Sequence, residues 1–229
     1  MRVKGRRVLA IDFRGHGRST KPHPPYRWRS FGTDLAHLAR ILRLRGARVA
    51  GHSMGGHSAV TAAALNPEAF ASLLLLDPVI LPSAAYTGPE PPLEFVLRRR
   101  NDWASPDQMF ERFKDRPPFN AWDPATLRDY CDYALAGTLL ACPPHVEASI
   151  YANSTAPQSN IDAEIAAVSV PVQVVRSRSS YAYGAFEGSP TDPLLYTRFR
   201  NATDLHLTNV SHFIPMEAPD QTAELILNS

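Results

Sequence analysis

The pentapeptide Gly51-His52-Ser53-Met54-Gly55 places a serine between closely spaced glycines, and its flanks constrain the fold more than any other stretch. Upstream, Arg48-Val49-Ala50 is a short apolar-rich run that reads as a strand; downstream, Met54 to Leu65 is rich in small residues and is stopped by Asn66-Pro67, as a helix would be. A strand that becomes a helix within so few residues leaves the serine on a sharp, strained turn, and only residues without a Cβ let neighbouring chain pass that closely. The serine side chain then stands above the sheet at a helix N-terminus, where unpaired N–H groups and the helix dipole favour developing negative charge. Ser53 is therefore the expected nucleophile and the Met54 N–H an expected oxyanion donor. The plain alternative is a glycine-rich turn that exposes a serine.

The rest of the chain repeats the same alternation. Val8-Leu9-Ala10-Ile11 is a short apolar run that ends at a polar, Gly-rich turn, as a strand buried on both faces would. Ser30 precedes Leu35, Leu38, Ala39, Leu42 and Leu44, with Gly46 behind them, the spacing of a capped amphipathic helix. Leu73 to Leu76 reads as a third strand, and the rhythm resumes with Pro171 to Val175, a helix around Leu194 to Phe199, a strand at Asp204 to Leu207 and a final helix from Pro219. Between Pro78 and about Ala166 the texture changes: prolines cluster between helical pieces such as Glu94 to Arg100 and Leu127 to Leu135. The expected organisation is an α/β core from residues 1–77 and 167–229, a mostly parallel sheet flanked by helices, with residues 78–166 as a helical cap insertion.

A serine hydroxyl needs a base within hydrogen-bond reach, most often a histidine oriented by a carboxylate. Of the eight histidines, His212 follows the last expected strand and so falls at the carboxyl edge of a parallel sheet, beside Ser53. His16 reads as a turn residue, and His52 and His57 as residues that pack or hydrogen-bond locally. No histidine has metal-ligand spacing, and Cys131 and Cys142 lack any CxxC pattern, so no metal or organic cofactor is expected. A net charge of +2 without a long Lys/Arg run gives no reason to expect nucleic acid. The basic start loses its apolar run at Asp12 after about four residues, short of the roughly seven of a secretory signal. No stretch reaches the roughly 18 apolar residues of a membrane span. A soluble, cytoplasmic protein is the expectation.

Taken together, three motifs resemble the α/β-hydrolase superfamily, in particular its capped, serine esterase-like members. Asp12-Phe13-Arg14-Gly15-His16-Gly17-Arg18-Ser19 is similar to the family's turn after a central strand, Gly51-His52-Ser53-Met54-Gly55-Gly56 to its nucleophile elbow, and Ser211-His212-Phe213-Ile214-Pro215-Met216-Glu217 to its histidine loop. A serine at the elbow argues against dehalogenase or epoxide hydrolase chemistry, whose relatives carry an aspartate there. The resemblance implies a strand ending in His-Gly ahead of the Asp12 segment, supplying a second oxyanion donor. With seven residues before Val8 there is no room for it, so the chain reads as N-terminally truncated. An open sheet edge would favour pairing with another chain as a homo-oligomer. The family's most frequent site for the acid, just beyond Val175, holds Arg176-Ser177-Arg178-Ser179-Ser180 and no carboxylate. Some relatives place the acid after the strand that follows the nucleophile helix, which here gives Asp77; Glu187 and Asp192 remain open, and Glu217 is expected to turn away or cap the last helix.

The expectation is thus a hydrolase of carboxylic ester-like bonds acting through Ser53, His212 and Asp77 with Met54 N–H at the oxyanion, on a small and apolar substrate suggested by Trp103, Phe110, Phe113, Phe119 and Trp122 in the insertion. Those aromatics could equally pack within the cap. Amide or carbon–carbon bond hydrolysis uses the same residues. The alternative function is a non-catalytic or truncated α/β-hydrolase-like protein without a complete oxyanion hole.

Overall fold

The computed structural model describes residues 2–3, 5–88, 90, 94–178 and 188–229, with the backbone alone at Arg2, Val3 and Arg6. Strands β1 (Arg2–Val3) and β2 (Arg6–Arg7) form a small antiparallel hairpin. Helix α1 (Trp28–Ile41), strand β3 (Ala47–His52), helix α2 (Met54–Leu65) and strand β4 (Phe70–Leu76) follow. After β4 come α3 (Glu94–Leu97), α4 (Pro106–Phe113), α5 (Pro124–Tyr133), a short hairpin of β5 (Leu135–Ala136) and β6 (Leu139–Leu140), then α6 (Pro144–Ala152) and α7 (Asp162–Ala167). Strands β7 (Val172–Arg176) and β8 (Ala202–His206) and helices α8 (Ile214–Glu217) and α9 (Pro219–Asn228) complete the chain.

The sheet runs β3-β4-β7-β8, and every neighbouring pair is parallel. Leu73 to Leu76 of β4 are buried without alternation, because a strand paired on both sides and covered on both faces meets no water. Register lines up the carboxyl ends: His52 lies beside Leu76, and Leu76 beside Val175. Whatever follows these three strands therefore emerges side by side on one edge, which is how segments distant in sequence come to share a site. Helix α2 lies against the sheet with Ala59, Ala62 and Ala63 buried, and α1 packs on it closely: a Cβ on Gly32 would stand 2.4 Å from Thr61 Cβ.

Val8 to Ile11 is not a strand, against the sequence expectation. It runs as irregular chain, with Leu9 49% exposed. An apolar tetrapeptide becomes a buried strand only when backbone partners flank it, and no described strand pairs with it. Helix α1 begins at Trp28, two residues before Ser30, and has no side-chain cap. Tertiary packing extends it there: buried Trp28 donates its indole N–H to Ile150 O at 2.7 Å. The helix expected around Leu194 to Phe199 is a single 3₁₀ turn, Leu195–Arg198, and the piece expected from Glu94 to Arg100 shortens to α3.

Trp103, Met109, Trp122, Leu127 and Cys131 form a cluster of their own within the insertion, with Phe213 and Met216 packed against it. Val146 and Ile150 of α6 pack instead with Tyr26, Trp28 and Phe31, while Ile161 and Ile165 join the main core over the sheet. Both cysteines are free thiols. No helix among the described residues is long and apolar enough to cross a membrane.

Candidate active site

Ser53 occupies the turn between β3 and α2 with φ 56° and ψ −123°, a conformation an L-residue adopts at a cost of about 1–3 kcal/mol. The surroundings hold it there. Ser53 N–H donates to Leu76 O at 3.0 Å and Val79 N–H to Ser53 O at 3.2 Å, tying the turn to the chain that leaves β4. A Cβ on Gly51 would lie 2.4 Å from Gly55 O, and one on Gly56 2.6 Å from Pro78 Cβ, so the elbow closes only because both positions are glycine. Met54 opens α2, and as the first helical residue its N–H has no acceptor within the helix.

Asp77 emerges from β4 on the same edge, itself at φ 44° and fully buried. His212 sits in the loop after β8, 7% exposed. Its Nε2 lies 3.1 Å from Ser53 Oγ and its Nδ1 2.7 Å from Asp77 Oδ2. A carboxylate can only accept, so Nδ1 carries the proton and Nε2 is left as an acceptor for the serine hydroxyl. The structure thus brings Ser53, His212 and Asp77 together across three loops.

The carboxylate of Asp77 accepts more than the histidine bond. Ser177 donates its N–H to Oδ1 at 2.8 Å and its hydroxyl to Oδ2 at 3.0 Å, and the Ser189 hydroxyl donates to Oδ1 at 2.6 Å. Burial alone would raise the Asp77 pKa; the bonds from His212, Ser189 and Ser177 overcome it and hold the group below its ordinary value, ionised at neutral pH. Sequence reasoning passed over Ser177 because it looked for a carboxylate after β7. A run of serines directly after that strand, at the edge where the acid sits, was the signal: the position supplies donors to an acid carried by the neighbouring strand.

The other carboxylates have different partners. Asp192 pairs with Arg198 at 3.0 Å and caps Leu194 N–H at 2.9 Å. Glu217 turns from the His212 ring, accepting the Ser211 N–H at 2.9 Å and the Ser211 hydroxyl, so it braces the loop that carries His212 and does not cap α9. Glu187 lies outside the described residues.

His52 does more than pack locally. Its Nε2 donates to His212 O at 2.7 Å and its ring lies 4.9 Å from the His212 ring. Burial, reinforced by the neighbouring His212, pushes its pKa down to about 4, so a neutral His52 steadies the loop without placing a cation beside it. His57 is fully buried, with Nε2 bonded to Ser159 O at 2.9 Å, and His16 bonds to Arg14 O at 3.1 Å within its turn. Among the described residues, no three His, Cys, Asp or Glu side chains are grouped so as to hold a metal ion.

A cavity of about 620 Å³ has Phe119, Trp122, Tyr130, Phe213 and Met216 among its walls. Phe213 and Met216 belong to the stretch directly after His212, so the cavity reaches the neighbourhood of the histidine. Trp122 and Phe119 serve both roles weighed for the aromatics, packing with each other and lining this space.

The model of the alpha/beta hydrolase family matches residues 2–225. Among curated proteins, 2-(acetamidomethylene)succinate hydrolase of Mesorhizobium japonicum is 41% identical over 70 residues, 31% of this chain and 25% of that protein. The matched stretch thus spans a quarter of the relative's length. Among solved structures, E-2-(acetamidomethylene)succinate hydrolase superposes with a TM-score of 0.68 at 22% identity, over 95% of this chain and 78% of the other. The peroxisomal alpha-beta-hydrolase Lpx1 of Saccharomyces cerevisiae gives 0.71 at 20% identity, over 95% and 64%. Both structural likenesses are likenesses of fold.

Proposed function

The chain belongs to the alpha/beta hydrolase family, and from that premise we propose that it is a serine hydrolase cleaving carboxylic ester-like bonds through an acyl-enzyme. The observation that carries this reading is the double contact of His212, 3.1 Å from Ser53 Oγ and 2.7 Å from Asp77 Oδ2. In the first step Ser53 Oγ attacks the carbonyl carbon while His212 Nε2 takes the hydroxyl proton. Asp77 fixes the imidazole tautomer and stabilises the imidazolium that forms. The Met54 N–H faces the developing oxyanion with the positive end of α2 behind it. Collapse breaks the carbonyl carbon to leaving-oxygen bond, and His212 returns the proton to the departing alcohol. Water then repeats the sequence on acyl-Ser53 and releases the acid.

Residues 78–166 act in this reading as a cap over residues 1–77 and 167–229, and the cavity walled by Trp122, Phe119 and Phe213 receives the apolar part of a small substrate. No step needs a metal or an organic cofactor, and the cytoplasm is the compartment proposed.

The test is labelling of the purified 229-residue chain by a fluorophosphonate, with Ser53→Ala and His212→Ala as controls. Labelling lost in both variants is the expected result. A folded chain that reacts no faster than Ser53→Ala would overturn the reading.

A further inference from the structure

Ester cleavage leaves one strongly basic feature of the insertion unused. A second cavity, of about 360 Å³, is walled by Arg99, Arg100, Arg112 and Arg116, with Trp103 and Phe113 supplying aromatic faces. None of its wall residues is acidic. Four guanidinium groups around one space repel one another unless anions offset them, and of these four only Arg99 has a carboxylate partner among the described residues. Glu147 pairs with Arg99, and Glu111 pairs with Lys114. Arg100 meets only neutral groups: it donates to Asp102 O and to Gln108 Oε1, each at 2.7 Å, and lies 4.4 Å from the centre of the Trp103 ring. The guanidinium groups of Arg112 and Arg116 have no hydrogen-bond or ion-pair partner among the described residues.

This basic cavity is not isolated from the site. Arg99, Phe119, Tyr130 and Leu140 form a wall common to it and to the larger cavity, which extends to Phe213 and Met216 beside His212. A substrate lying along the larger cavity would present its far end to the arginines.

We propose that the Arg100–Arg112–Arg116 cavity is an anion subsite, and that the substrate carries a phosphate or carboxylate group at the end of its apolar body remote from the scissile carbonyl. The inference rests on the ester-cleavage reading for its link to Ser53. Guanidinium forks match the paired oxygens of either anion, and Trp103 holds the Arg100 fork in place by stacking. Because the subsite stands away from the reacting carbon, it acts on binding: its loss raises KM more than it lowers kcat.

The experiment uses 4-nitrophenyl octanoate and its ω-carboxylate and ω-phosphate counterparts, with the full chain and with Arg112→Gln/Arg116→Gln. At roughly 20 mM salt, wild type should favour an anionic ester over the neutral one by about tenfold in kcat/KM, mostly through KM, and roughly 500 mM salt should erase most of that preference. The double variant should lose it at low salt, whereas Arg112→Lys/Arg116→Lys, which keeps the charge, should retain part of it and so separate charge loss from misfolding. The carboxylate and phosphate arms decide which anion is preferred.

Titration with inorganic pyrophosphate, followed by Trp103 fluorescence against a Trp103→Phe control, reads the subsite without catalysis. Saturable quenching that disappears in Arg112→Gln/Arg116→Gln supports the proposal even if no ester is cleaved, in which case the ester reading fails alone. Equal cleavage of neutral and anionic esters without a pyrophosphate response would overturn the subsite and leave ester cleavage standing.

Discussion

Asp77 and His212 are 135 positions apart in the chain, and Asp77 Oδ2 stands 2.7 Å from His212 Nδ1. Nothing local brings them together. Asp77 leaves the end of β4, and His212 follows β8 two strands away, while Ser177 after the intervening β7 donates to the same carboxylate. If Asp77 orients the base, Asp77→Asn lowers kcat for an ester by about 10³–10⁴-fold with little change in KM. Asp192→Asn, which breaks an ion pair with Arg198, leaves kcat within about twofold. Steady-state kinetics on both folded variants checks the assignment, and a fully active Asp77→Asn enzyme removes Asp77 from the mechanism.

The elbow tolerates no side chain at position 51. A methyl group there would meet backbone at 2.4 Å, and a backbone oxygen cannot swing aside as a flexible side chain can. Gly51→Ala is expected to lower stability by about 2 kcal/mol or more and to displace Ser53 from His212. Thermal melting together with the fluorophosphonate labelling rate tests this; a variant with wild-type melting and labelling would show that the turn has slack.

His52 should matter through a backbone atom. His52→Phe keeps a ring beside His212 but leaves His212 O without its donor, a loss of about 1–3 kcal/mol for a buried acceptor. The expected result is a melting temperature lower by several degrees and kcat down about tenfold, because the loop carrying the base loosens. Unchanged values for both would mean that the bond at 2.7 Å does not brace the loop.

Acid should weaken the fold through His57. Burial pushes its pKa down to about 4, against roughly 6.5 for a histidine in an unfolded chain. The folded form thus stays neutral while the unfolded form takes up a proton. The sign follows: the stability present above about pH 6.5 is lost progressively as pH falls toward 4, in total about 3 kcal/mol, and no further below that. His57→Leu should reduce the dependence of melting temperature on pH across this window, leaving the share that His52, held down to about 4 as well, contributes. An identical slope in wild type and variant would refute the assignment to His57.

The alternation of strand and helix and the strained elbow were readable from the residues, because both are written locally: apolar periodicity, Asn66-Pro67 as a stop, and glycines where no Cβ fits. So was the position of His212 after the last strand, since a parallel sheet puts every strand end on one edge. The choice among carboxylates was not readable. Asp77, Glu187 and Asp192 were equally open as acidic residues in the chain, and only the register of β4 against β7 sets Asp77 beside Ser177 and His212, while Asp192 is turned to Arg198.

Two misreadings share one cause. Val8 to Ile11 has the composition of a buried strand but lacks a backbone partner among the described residues, and Ser30 has the chemistry of a cap but stands inside a helix that Trp28 extends by packing. The amino-acid order decides what each segment prefers, because propensity, turn chemistry and the absence of a Cβ act over a few residues. Which segments meet is decided by the folded chain, because hydrogen-bond pairing, burial and the approach of charges depend on neighbours distant in the chain, as Asp77 and His212 are.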